Sequence, residues 1–332
     1  MRRFTFSAVA VLATAAAVSA AATGYHVVGE IQVGGEGGWD YLTVDSAARR
    51  LYVSHATHVA VIDLDANKVV GDIPDTPGVH GIAIAPELNK GFISNGRGNT
   101  VTIFDLKTLK TAGTAATGEN PDSIRYDAGS GRVFAFNGRS KSATAIDAKS
   151  GAVAATIPLP GKPEFSVADG KGHVYVNLED TNEIVEIDAA KAAVNKKYSL
   201  SPCDGPSGLA IDTKNRRLIS VCSNRVMAIS DPDAGKVVAT PAIGAGSDGA
   251  AFDPGTGFAF SSNGDGTLTI VQQSGGKWDV LENIATERGA RTIAVDEKTH
   301  KVYLPTAKTA PSASGGRATY LPNTFKVLVV GK

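Results

Sequence analysis

The sequence predicts an all-β, seven-bladed β-propeller of four-stranded antiparallel blades, and three observations carry that prediction. Seven short segments recur: YLTVD (41–45), IAIAP (82–86), SIRYD (123–127), FSVAD (165–169), GLAID (208–212), GAAFD (249–253) and TIAVD (292–296), with their last residues 41, 41, 42, 43, 41 and 43 positions apart. Each is followed by a polar turn and a β-rich run such as RLYVSH or RVFAFN, and usually by a third that ends in Asp, such as VAVIDL. The seventh repeat lacks an outer strand, and the start of the chain holds a copy of one, HVVGEI at 26–31 against KVVGDI at 68–73. Strand, turn, strand at this period describes a blade that buries neither face alone, so the blades must stack and close into a ring.

In chain order, residues 1–22 read as a signal peptide. Arg2 and Arg3 precede a short apolar run, and small residues allow cleavage after Ala20 or Ala22. Phe4, Thr5 and Phe6 fit a twin-arginine pattern poorly, so Sec-type export to the periplasm or beyond is expected. No cysteine follows for a lipid anchor, and no later stretch is long and apolar enough to span a bilayer. Residues 23–332 then form one propeller domain, expected to be monomeric. Residues 25–33 should pair with 325–331, completing the last blade and leaving no open edge.

Composition agrees. Thirty-seven glycines suit a chain of many tight turns, and 42% hydrophobic residues suit a sizeable core. Without Arg2 and Arg3 the formal charge is −2, thirty-one basic residues against thirty-three acidic. With no Lys/Arg run, nothing recommends nucleic acid or an anionic membrane as a partner.

LYVSH at 51–55 and VYVNL at 174–178 resemble the YVTN motif of bacterial seven-bladed YVTN-repeat (YncE-like) propellers, and the resemblance covers essentially the whole chain after the leader. It implies this fold and export. It supplies no catalytic residue, because the activities in that family are heterogeneous. The GH…WD signature of WD40 repeats is absent.

Propeller topology assigns faces to residues. The loop before each first strand and the hairpin between second and third strands share one face, here termed the mouth face. Seven residue pairs should ring the channel there: Trp39-Asp40, Val79-His80, Pro121-Asp122, Pro163-Glu164, Pro206-Ser207, Ser247-Asp248 and Ala290-Arg291. Asp and Glu at such positions serve as turn residues; converging, they also offer oxygen ligands to a divalent cation in the channel. HATH at 55–58 lies in blade one's hairpin, so His55, His58 and His80 form a second candidate metal set, through imidazole nitrogens. Asn95-Gly-Arg97 and Asn137-Gly-Arg139 read as matching Asn-Gly turns, with Arg97 and Arg139 offered to an acidic ligand. The long segment 307–324 reaches the same face with Arg317 and Tyr320 as its contact residues. Cys203 precedes the first strand of blade five and Cys222 ends its second strand. Both therefore come to the mouth face, at the spacing a disulfide needs, and export favours the bridge.

Two function classes follow. The leading one is an exported, non-catalytic binding or scaffold protein that uses the mouth face for a protein or small ligand, since GxSxG, HExxH and a Cys–His pair are all lacking. The alternative is a metal-dependent lactonase or lyase in the channel, with Asp40, His80, Asp122, Glu164 and Asp248 as its chemistry-bearing set. Two tryptophans in the chain argue against a quinone-dependent dehydrogenase whose blades dock through Trp-rich repeats.

Overall fold

The computed structural model describes residues 22–311 and 319–332. Seven four-stranded antiparallel sheets stand in a ring. Blade one is Leu42–Asp45, Arg50–His55, His58–Asp63 and Lys68–Ile73, and blades two to six repeat that order. Blade seven takes Ala294–Asp296, Lys301–Thr306 and Lys326–Gly331 from the end of the chain and its outer strand, His26–Gln32, from the start. His26 pairs with Gly331 and Gln32 with Lys326, so the expected closure is the observed one. Among the described residues no helix is long and apolar enough to cross a membrane. The signal-peptide reading falls almost wholly on residues 1–21, outside the described residues.

Local chemistry explains the strand ends. Asp45, Asp127, Asp212, Asp253 and Asp296 close first strands, and their carboxylates accept amides of the following turn, such as Ala48 N at 2.9 Å and Ser130 N at 2.8 Å. Asp63, Asp105, Asp147, Asp188 and Asp231 do the same after third strands. Blade two departs from the expected alignment by one residue. Ala85, opposite Lys90, is the equivalent of Asp45 opposite Arg50, and Pro86–Leu88 instead form a 3-10 turn.

The core is divided into seven wedges, one for each junction between neighbouring blades. Tyr52, Val61, Ile93 and Phe104 fill the junction of blades one and two, while Trp39, Leu51, Val53, Tyr303 and Phe325 fill that of blades seven and one. Outer strands hold on by little: Ile31 and Ile73 are buried, whereas Val27, Val28, Val69 and Val70 stand exposed on the rim. The centre is left as a channel.

A repeated clasp fixes the mouth face. The amide that opens the hairpin between second and third strands donates to the loop before the first strand of its own blade: Ala56 to Gly38 O, Gly96 to Gly78 O, Gly138 to Asn120 O, Gly264 to Gly246 O, all at 2.8–2.9 Å. Blade five adds a covalent version, for Cys203 and Cys222 are disulfide-bonded with Cα atoms 5.5 Å apart. With a sequence separation of 19 between the cysteines, the chain-entropy treatment assigns the bridge roughly 3 kcal/mol. A Cys203→Ala/Cys222→Ala variant should therefore show a lower urea midpoint, with a steeper denaturant slope because the unfolded chain is no longer cross-linked.

Candidate functional site

Asp40, His80 and Asp122 stand on three successive blades, Asp40 just before its first strand and the other two just inside theirs, and one ligand atom from each falls within 4.8 Å of the others. His80 Nδ1 meets Asp40 Oδ2 at 2.6 Å and faces Asp122 Oδ1 at 3.6 Å. Asp248 and Arg291 continue the ring, with Arg291 Nε donating to Asp248 Oδ2 at 2.7 Å. Glu164 has the Lys162 ammonium 3.5 Å away. Two carboxylate oxygens of the ring, Asp122 Oδ1 and Glu164 Oε2, are buried and accept no hydrogen bond.

Serines hold the ring's backbone in place. Ser54 Oγ accepts the Asp40 amide at 2.8 Å, and Ser94 Oγ accepts the Gly81 amide at 2.9 Å. The Ser94 hydroxyl donates onward to the Asp122 carbonyl of the next blade at 2.5 Å. The third position of the YVTN-like strand thus couples one ring residue to the next.

This crowding governs charge. Burial pushes the Asp122 carboxyl up to about 7; His80 pulls it down, while Asp40 and Asp248 add to the rise. Burial, with Asp122 next, raises Glu164 to about 8. Burial likewise raises Asp248, aided by Asp40 and opposed by Arg291. For His80 burial works against the cation, but the Asp40 hydrogen bond and the Asp122 and Glu164 charges carry it up to about 9. In all four, the folded state holds protons that the unfolded chain releases at lower pH. Carboxyls raised in this way lower stability as pH climbs from about 4 through 7–8, and the stabilisation from protonated His80 on Asp40, fully present below about 6.5, is lost through 9. The melting temperature of metal-free protein should accordingly fall between pH 5 and 9, and Asp122→Asn should flatten that slope.

Other candidate residues lie elsewhere. Trp39, next to Asp40 in the loop before the strand, points the opposite way into the core, 5.2 Å from the Phe325 ring centroid. His55 is buried against Phe325 with ring centroids 4.4 Å apart, and burial, then His58, brings its pKa down to about 4. His58 faces Asp72 at 3.7 Å beside an open depression of about 590 Å³ at the blade-one rim. His55 and His58 therefore do not join His80 in one ligand set, because adjacent hairpin positions and a channel-facing strand start look in different directions. Ser207 Oγ donates to the Ser247 carbonyl at 3.1 Å. Arg97 and Arg139 are exposed in their hairpins. The turn there is not an Asn-Gly turn: Asn95 and Asn137 end their strands with side chains donating to Thr102 and Thr144, and the positive φ falls at Asn99 and Lys141. Tyr320 pairs with Thr309 in a short hairpin and covers Trp39, ring centroids 4.8 Å apart. Arg317 lies outside the described residues.

Comparison between blades finds residues that no motif marks. The position after each ring residue is small in five blades, Gly81, Ser123, Gly208, Gly249 and Thr292, but is Tyr41 in blade one and Phe165 in blade four. Those two rings meet edge to face, centroids 4.7 Å apart.

No protein-family model and no curated protein sequence matches this chain. Among solved structures, the Kuenenia stuttgartiensis hydrazine synthase is similar, with a TM-score of 0.70 and 14% identity over 86% of this chain and 96% of that one. At that identity the likeness shows the propeller fold.

Proposed function

We propose that this chain is an exported binding propeller of the YVTN-repeat kind whose channel mouth captures a divalent metal ion through Asp40, His80 and Asp122. The observation that carries the reading is the convergence of three ligand atoms from three blades within 4.8 Å, with buried carboxylate oxygens on Asp122 and Glu164 that accept no hydrogen bond. One imidazole with two carboxylates is a donor set suited to Zn²⁺ or Mn²⁺ rather than to Ca²⁺, which favours oxygen alone. An ion there takes the place of the proton between His80 and Asp40 and supplies the buried Asp122 carboxylate with a counter-charge, so binding should release protons and strengthen from pH 6 to 8. Calorimetry on chelator-treated protein should give one Zn²⁺ or Mn²⁺ per chain, bound at least tenfold more weakly by Asp122→Asn or His80→Gln. Binding by neither ion up to millimolar concentration, or unaltered binding by both variants, would sink the proposal.

A second reading, a metal-dependent lactonase or lyase, has one observation in its favour. Glu164, raised to about 8, stands in the same ring and can hold or release a proton near neutral pH, as a general acid–base requires. Lactone turnover by the metal-loaded protein that disappears in Glu164→Gln, with metal still bound, would favour it over simple capture.

A further inference from the structure

The channel narrows beneath the acidic ring. Where Tyr41 meets Phe165 the remaining gap holds about 10 Å³, room for one water molecule at most. Beyond this waist it widens into an open chamber of about 370 Å³, within the range of small-molecule sites. Its wall comes from the second halves of six of the seven first strands, among them Val44, Val167, Ile211, Phe252 and Val295. The chamber therefore faces away from the mouth, and its wall mixes apolar side chains with exposed polar groups.

Arg125 lines this chamber beside Phe165. In the aligned repeats its column otherwise holds Thr43, Ala83, Val167, Ala210, Ala251 and Ala294, so blade three alone brings a charge there. The guanidinium lies over the Phe165 ring, 4.7 Å from the centroid, and Nε donates to the Ser166 carbonyl at 2.6 Å. These contacts fix its plane and leave the terminal nitrogens uncommitted, and among the described residues no carboxylate forms an ion pair with it. Burial lowers its pKa to about 10, with Tyr41 opposing, so it remains a cation at neutral pH. A cation withdrawn from water without a counter-charge is unfavourable, and a guanidinium fork matches the two oxygens of a carboxylate. Glu297 also lines the chamber, which disfavours an anion of higher charge.

We propose that the far chamber binds a small monocarboxylate with an apolar body, its carboxylate held by Arg125 and its body by the surrounding valine, isoleucine and phenylalanine side chains. The site uses none of the mouth residues, so it stands whether or not the mouth holds a metal.

Benzoate and hexanoate are the probes, with benzamide and inorganic phosphate as controls, followed by ligand-observed NMR and calorimetry on the chelator-treated full chain. At least one carboxylate should bind one per chain with a millimolar or lower Kd, and benzamide and phosphate at least tenfold more weakly. Arg125→Gln should weaken binding at least tenfold. Ala168→Phe, which narrows the chamber without removing the guanidinium, should weaken it too, and Asp122→Asn at the mouth should leave it unchanged. No binding of either carboxylate to the wild type overturns the proposal. So does equal binding by Arg125→Gln, by Ala168→Phe or of phosphate.

Discussion

Deleting residues 25–33 leaves a chain that no longer forms a stable, monomeric ring. The segment supplies the whole outer strand of blade seven, paired from His26–Gly331 to Gln32–Lys326. It also carries Tyr25, buried against Phe258 and Phe260 with its hydroxyl donating to the His300 carbonyl at 2.8 Å, and Ile31, 1% exposed. Burying side chains of this size contributes about 1.5–3 kcal/mol each. Adding the lost strand pairing brings the total close to the stability of an ordinary domain, about 5–15 kcal/mol. Lys326–Gly331 becomes an uncovered edge, open to pairing with another chain. Size-exclusion chromatography and thermal melting check this: aggregation, or a melt far below wild type, is expected. A monomer with the wild-type melting temperature would show that the ring closes some other way.

Gly208→Val should be the most damaging single substitution for the site's framework. A Cβ at residue 208 would stand 2.6 Å from Ala250 N, 2.7 Å from Gly249 Cα and 2.8 Å from Asp248 O. These are backbone atoms of the next blade, which cannot rotate aside. Overpacking of this kind costs roughly 1–3 kcal/mol even for modest additions, and a β-branched side chain adds more. Relief requires blades five and six to separate, which displaces Asp248 within the ring. A drop in melting temperature together with a changed pH dependence is the expected pair of results. Full wild-type stability would mean that the blades approach less closely than described here.

The fold was legible because a propeller repeats one solution seven times. A period near 42, the Asp residues that close strands on turn amides, and HVVGEI standing for a missing KVVGDI strand together specify the ring and its closure. Blade two slipped by a residue because Pro86 resembles the closing Asp in position while starting a 3-10 turn. At the mouth, a residue's place in the repeat assigned Asp40, His80, Asp122, Glu164, Asp248 and Arg291 to one ring, since first strands converge on the axis. Side-chain direction was less legible. Trp39 alternates away from Asp40, and His55 turns into the blade-seven junction, because nearness along a chain is not nearness in space. Tyr41, Phe165 and Arg125 belong to no motif, and only comparison down the repeat columns exposes them.

The central claim is that Asp40, His80 and Asp122 form a metal site, and a crystal grown from chelator-treated protein and soaked in Zn²⁺ tests it most directly. Anomalous scattering at the zinc edge should give one strong peak at the channel mouth, roughly 2.0–2.2 Å from an imidazole nitrogen of His80 and from one oxygen each of Asp40 and Asp122, and none in crystals of Asp122→Asn. A mouth without a peak, or zinc held instead by His55 and His58, would contradict the account.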